Sequence, residues 1–487
     1  MNDKNISVLT RREFIRRAAC AAVGTAAMTS AIRDLRFMNA AVAQTNISDY
    51  KALVCIFLSG GNDSNNMILP TVLSEYNNYA AIRTPVLAIP SSAILGTGYT
   101  DAAGHGYGLH PAAPQLQTLF AENKLAFLMN TGTLVYPMTR AQYTSNSVKR
   151  PPQLFSHADQ VTQWQTSIPD APALTGWGGR CADLVNAIQP GAPISMSVSL
   201  AGANTFEIGN VVSQYNVSTT GAINLQGVSG ARLAALTNIL GLSYPNMQVQ
   251  AYSDVTEHSI NTGGLLNNAI AATTNANFWL TPFPTTVTSP TGGTAFTSSL
   301  SAQLKMVARL IEAGSRSVAS GGFGMKRQIF FCQVGGYDLH TGQTSYDTNN
   351  PNKVLVGPHA NLMAELSQGM FAFQRAMEQL TLSNKVTAFT SSDFGRTFPC
   401  NGQGSDHGWG SHHFILGGAV HGGRAYGKFP TLTVNGPDDT NTGRWIPTTA
   451  LDQYFATIAT WFGVDPSNLG TVFPNLGRFA TPNLGFL

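Results

Sequence analysis

Apolar residues follow two rhythms along this chain. Short continuous runs have strand length and no polar alternation: "KALVCIFLS" (51–59), "LAFLMNTGT" (125–133), "ISMSVSL" (194–200), "QIFFCQVGG" (328–336), "KVTAFTSS" (385–392) and "HHFILGGAV" (412–420). That is the pattern of strands buried on both faces of a sheet. Between them the spacing is helical. Leu300, Leu304, Val307 and Ile311 recur at i, i+4, i+7 and i+11, and Leu362, Leu366, Met370, Phe373 and Met377 repeat likewise. Residues 449–463 read as a last helix. Alternation of this kind predicts an α/β domain with a largely parallel sheet. Residues 201–296 break the rhythm. They are rich in Ser, Thr, Asn, Gly and Pro, with one plausible helix at 229–241, and read as an insertion or cap over the sheet.

The N-terminus changes the picture of where the protein works. "TRREFIRRAACAAVGTAAMTSAI" opens with Arg11-Arg12 and runs into a weakly hydrophobic Ala-rich stretch, and "AVA" at 41–43 offers small residues for a signal peptidase. It resembles a twin-arginine (Tat) export signal. Residues 1–43 are therefore expected to be removed, leaving residues 44–487 as one domain in the periplasm or outside the cell, with the Tat translocase as a partner during export. The chain has 28 basic and 25 acidic side chains; residues 1–43 hold seven and three of them, which leaves 21 and 22. That balance gives no support to a nucleic-acid or anionic-membrane partner. No apolar run reaches the roughly 20 residues that a membrane-spanning helix needs. Cys55 and Cys332 sit in apolar runs as buried thiols, and no CxxC spacing exists for a zinc cluster.

Candidate chemistry gathers just after the predicted strands. "GGNDSNN" carries Asp63, "GGYDLHTGQ" carries Asp338 and His340, and "SSDFGRT" carries Asp393 and Arg396. "GSDHGWGSHH" adds Asp406, His407, His412 and His413. In open α/β sheets ligands bind beyond the carboxyl ends of the strands, so aspartates at three strand ends can converge on one point. Carboxylate with imidazole suits Zn²⁺ or Mn²⁺, and carboxylate alone suits Mg²⁺ or Ca²⁺. His412 and His413 begin an apolar strand that puts them on opposite faces, so at most one of them is a ligand. Arg396 and Arg140 are candidates for clamping an anion, Arg396 being the better placed.

In "PPQLFSHADQVTQWQT" (151–166), Ser156 reads as a helix N-cap with Asp159 as its capping partner. A helix N-terminus also favours an anion, so a serine there can attack a phosphoryl or sulfuryl centre.

Taken in order and spacing, "FLSGGNDSNN", "LFSHADQ", "TGWGGR", "GGYDLHTGQ", "SSDFGRT" and "DHGWG" resemble a large family of Tat-exported bacterial proteins. That family is a domain of unknown function within the alkaline phosphatase/sulfatase superfamily. The resemblance implies an alkaline-phosphatase-like core, a mostly parallel sheet flanked by helices on both faces, with metals at the strand ends. By it Asp338, His340 and His407 match one metal site, Asp63 and Asp393 match another, and Ser156 matches the nucleophile. Phe394 departs from the pattern, since the superfamily often has His there. The second site would then be oxygen-only for Mg²⁺ or Ca²⁺, or supplied by His157, or missing.

The expectation is a metal-dependent hydrolase of phosphate or sulfate esters, small or polymeric. The alternative is a non-catalytic exported binding protein that keeps the fold and a structural metal.

Overall fold

A computed structural model describes residues 48–223, 225, 227–273 and 282–487; the expected export signal lies outside them. Its centre is a ten-stranded sheet. In chain order the strands are β1 (Lys51–Leu58), β2 (Leu125–Gly132), β3 (Ser197–Ser199), β4 (Tyr215–Ser218), β5 (Gly221–Ala222), β6 (Arg327–Val334), β7 (Val386–Ser392), β8 (Ser411–Leu416), β9 (Ala425–Tyr426) and β10 (Thr449–Ala450). The spatial order is β9-β2-β8-β7-β1-β6-β3-β4-β5, with β10 beside β2. Strands β7, β1, β6, β3 and β4 run parallel, and the apolar runs of β7, β1 and β6 are buried on both faces. β8 runs antiparallel to both its neighbours, a direction that an apolar run cannot encode.

The principal helices are α1 (Leu73–Leu87), α2 (His157–Thr166), α3 (Trp177–Val185), α4 (Ala231–Leu240), α5 (Met247–Ala271), α6 (Ser299–Ser315), α7 (Pro358–Gln379) and α8 (Leu451–Phe462). The predicted apolar stripes of α6 and α7 do face the core: Leu300, Leu304, Val307 and Ile311, and Leu366, Met370, Phe373 and Met377, are buried. α3 and α8 pack against the sheet through Trp177, which stacks on Phe455 at 4.3 Å and lies against Phe389 of β7. Each such side chain contributes roughly 1.5–3 kcal/mol by leaving water. Within 201–296 the predicted helix is α4. The longer α5 follows it, capped by the Asn246 side chain on the N–H groups of Gln248 and Val249. Among the described residues no helix is long and apolar enough to cross a membrane.

The register of the three central strands positions the chemistry. Leu58 stands opposite both Val334 and Ser392, so β1, β6 and β7 end level and release their loops from one edge. Gly60 makes the first loop possible. Its φ is +118°, a Cβ there would stand 2.5 Å from the Asp338 nitrogen, and its N–H donates to Asp393 Oδ1 at 3.0 Å.

Candidate metal centre

Four segments of the chain meet at that edge. The β6 loop brings Asp338 and His340, the end of β7 brings Asp393, and the loop before β8 brings Asp406 and His407. The fourth element is α2, whose first residue is His157. Ligand atoms of His157, Asp338 and His407 lie within 4.8 Å of one another. His407 Nε2 is 3.0 Å from His157 Nε2 and 2.9 Å from His340 Nε2. Asp338 Oδ1 is 3.2 Å from His340 Nε2 and 3.3 Å from His407 Nε2, and its Oδ2 is 3.5 Å from His157 Nε2. Four donors arranged tetrahedrally at zinc–ligand distances stand about 3.3 Å apart.

What the opposite ring nitrogens do decides the meaning of this cluster. His407 Nδ1 donates to the Phe155 carbonyl at 2.7 Å, and a carbonyl can only accept. His157 Nδ1 donates to Asp393 Oδ2 at 2.7 Å, and His340 Nδ1 to Asp406 Oδ1 at 2.9 Å. With the Nδ1 atoms so engaged, the Nε2 atoms of the three imidazoles face one another and a carboxylate. Burial, with the charges of His157 and Arg396, lowers the pKa of His407 against the opposing pull of the Phe155 hydrogen bond and Asp338. One proton could bridge only one nitrogen pair, whereas a divalent ion satisfies all four donors. Imidazoles tethered through Nδ1 to carboxylates and carbonyls are also how proteins orient metal-binding histidines.

Asp338 is the charged ligand of the set. Burial works to raise its pKa, but the Arg396 hydrogen bond and charge, with His340 and His157, outweigh that and hold it low. Arg396 itself is buried. Its Nη1 donates to Asp338 Oδ1 at 2.6 Å and to the Gly60 carbonyl at 3.3 Å, and its Nη2 donates to the Ser405 carbonyl. It is turned inward and braces Asp338.

The other expected residues are placed as follows. Asp63 is buried and accepts from Arg83 and Gln343. Ser156 is the N-cap residue of α2, yet its Oγ donates to Asp159 Oδ2 at 2.6 Å and makes no bond to the helix backbone. It sits between Phe155 and His157, both tied to the centre. Arg140 donates to Asn435 Oδ1 at 3.1 Å. His412 and His413 stay in the buried core: His412 accepts from the Asn130 N–H, and His413 lies between the rings of Trp164 and Tyr454. Phe394 is fully buried with its ring 4.7 Å from those of both His157 and His407. The four described cysteines are free.

Two residues that the sequence did not single out as candidates frame the centre. Phe155 holds φ +73°, an uncommon backbone state that aims its carbonyl at His407. Arg444 lays its guanidinium 4.3 Å over the Phe155 ring and donates Nε to the His407 carbonyl at 2.7 Å. It is half-exposed, and among the described residues no carboxylate pairs with it.

Fold and donor set together define an α/β protein with a candidate metal centre at its strand ends. The family model described as "Protein of unknown function (DUF1501)" matches residues 50–471, and the chain belongs to that family. No curated protein matches it in sequence. Solved structures align with it weakly. The PsFucS1 sulfatase from Pseudoalteromonas sp. is 10% identical over 89% of this chain and 73% of that one, with a TM-score of 0.32. Ps i-CgsB in complex with k-i-k-neocarrahexaose is 7% identical over 89% and 78%, with a TM-score of 0.32. The C-terminal periplasmic domain of EcEptC from Escherichia coli, in complex with Zn, is 11% identical over 86% and 85%, with a TM-score of 0.30. Likenesses at this level carry no argument about activity.

Proposed function

We propose that this protein is an exported metal-dependent hydrolase of phosphate or sulfate esters, with a divalent cation held by His157, Asp338, His340 and His407, and with Ser156 as nucleophile. The convergence of three imidazole Nε2 atoms, each with its Nδ1 committed to an acceptor, carries the reading. Three nitrogens and one carboxylate oxygen suit Zn²⁺ or Mn²⁺ better than Mg²⁺ or Ca²⁺. Bound there, the ion supplies positive charge to an ester oxygen as negative charge builds on it.

Ser156 supplies the other half. The start of α2 favours an anion, and the Oγ proton is already shared with Asp159 at 2.6 Å. Asp159 takes that proton as Oγ bonds to phosphorus or sulfur, and passes it to the departing alcohol. Water then cleaves the seryl ester, regenerating the hydroxyl and releasing phosphate or sulfate. Arg396 holds Asp338 in place, and Arg444 meets the anionic end of the substrate. A second reading, an exported protein that keeps the metal structurally and binds a surface polymer, is favoured by Phe394, which fills a position where the resemblance expects a ligand.

The test uses mature protein loaded in turn with Zn²⁺, Mn²⁺, Mg²⁺ and Ca²⁺ and assayed on an aryl phosphate and an aryl sulfate. Ser156→Asn places a residue favoured at helix N-caps there but has no hydroxyl. It is expected to fold and bind metal, yet to lose turnover by at least about a hundredfold. Full activity in Ser156→Asn would remove Ser156 from the chemistry. No turnover by the parent with any metal or ester would leave the binding-protein reading. Export is checked separately: with Arg11 and Arg12 both changed to Lys, uncleaved precursor should stay in the cytoplasm, and normal export of that variant would exclude the Tat route.

A further inference from the structure

We infer that the centre holds a single divalent cation and that the Arg83 guanidinium stands where the charge of a second ion would be needed. The inference rests on the metal reading above. The sequence offers two carboxylates, Asp63 and Asp393, for a second ion, and neither is open to one. Asp63 is 2% exposed, and its Oδ2 accepts from both Arg83 Nη2 and Gln343 Nε2. Its Oδ1 is buried with no hydrogen-bond partner, but one oxygen beside a guanidinium does not make a cation site. Asp393 has both oxygens engaged, Oδ1 by the Gly60 N–H at 3.0 Å and Oδ2 by His157 Nδ1 at 2.7 Å.

Arg83 is locked where it is. It is 0% exposed, and its Nη1 donates to the carbonyls of Thr397 at 3.2 Å and Phe398 at 3.1 Å. A buried carboxylate needs a compensating positive charge, and Asp63 has one that cannot exchange with solution. A divalent ion brought to Asp63 would also face that fixed positive charge at short range. The Arg83 bridge thus ties the β1 loop to the loop after β7, the cross-link that a second ion would otherwise provide. Asp63 is a positioning residue and not a ligand.

Protein stripped with chelator is dialysed to equilibrium against Zn²⁺ or Mn²⁺ alone, and bound metal is counted by elemental analysis. The expected result is one equivalent per chain, retained in Asp63→Asn and weakened at least tenfold in His407→Ala. Two equivalents in the parent would overturn the inference and leave the metal reading standing. Zero equivalents would end the metal reading itself. Loss of the single equivalent in a folded Asp63→Asn would place the ion at Asp63 and also overturn the inference. Should Asp63→Asn fail to fold, the parent's stoichiometry still decides.

Discussion

Arg444 is the residue whose substitution discriminates most sharply among roles. Its Nε is spent on the His407 carbonyl and its face on the Phe155 ring, which leaves the outer edge of the guanidinium for a ligand. Arg444→Gln removes a charged donor worth about 1.5–3 kcal/mol in a hydrogen bond, so KM for an anionic ester should rise about tenfold or more. Metal content should not change. A variant with unaltered KM and unaltered inhibition by inorganic phosphate or sulfate would show that Arg444 only packs on Phe155. Sequence alone pointed instead to Arg396, because it follows a strand end within a polar motif. Nothing in a sequence tells that its guanidinium turns inward to Asp338. Asp338, His340 and His407 were legible because each lies beside a Gly-rich turn at a predicted strand end. His157 was half-hidden, since "SHAD" is also the signature of an ordinary helix start.

At the scale of elements, the centre depends on three strands ending level and on one glycine. Gly60 has φ +118°, and a Cβ would press on the Asp338 nitrogen at 2.5 Å. Gly60→Ala should therefore cost about 1–3 kcal/mol from backbone strain alone, with more from the clash. It should also loosen metal binding, because the Gly60 N–H holds Asp393, which in turn holds His157. Thermal melting with and without metal measures both effects; a melting curve like the parent's would contradict this account. Strands β1, β2, β3, β6, β7 and β8 and the α6, α7 and α8 helices were readable because burial writes itself into apolar spacing, whereas the short β4, β5, β9 and β10 carry no apolar run. The direction of β8 was not readable, since pairing partners far along the chain decide it. α5 escaped notice because its stretch "MQVQAYSDVTEHSINTGGLL" is mostly polar, and Val249, Tyr252 and Val255 remain exposed on it.

For the molecule as a whole, two buried carboxyls set the pH dependence above neutrality. Burial pushes Glu207 up to about 8 from 4.5, with Asn204 donating to one of its oxygens at 2.8 Å. Burial likewise pushes Asp452, in the first turn of α8, up to about 7 from 3.8. Both groups are protonated in the fold while the unfolded chain ionises. Their contribution to stability is full below the unfolded values and is lost as pH rises through the folded ones. Below about pH 6.5 the buried His110, His359, His412 and His413, whose pKa values burial lowers, act in the opposite sense; above about pH 7 the parent should become easier to unfold as pH rises toward about 8, and Glu207→Gln should make that slope shallower. Urea midpoints measured across that range test this, and an equal slope in both proteins would rule Glu207 out as its source.

The centre is also distributed in time. His157 and His407 touch across 250 residues of chain, and Asp393 meets His157 across 236. No partial chain ending before residue 407 contains the whole donor set, so a shorter polypeptide cannot present all four donors to an ion. Contacts of such long sequence separation form late. In the proposed reading, metal uptake would report that the chain has folded through the loop beyond β7.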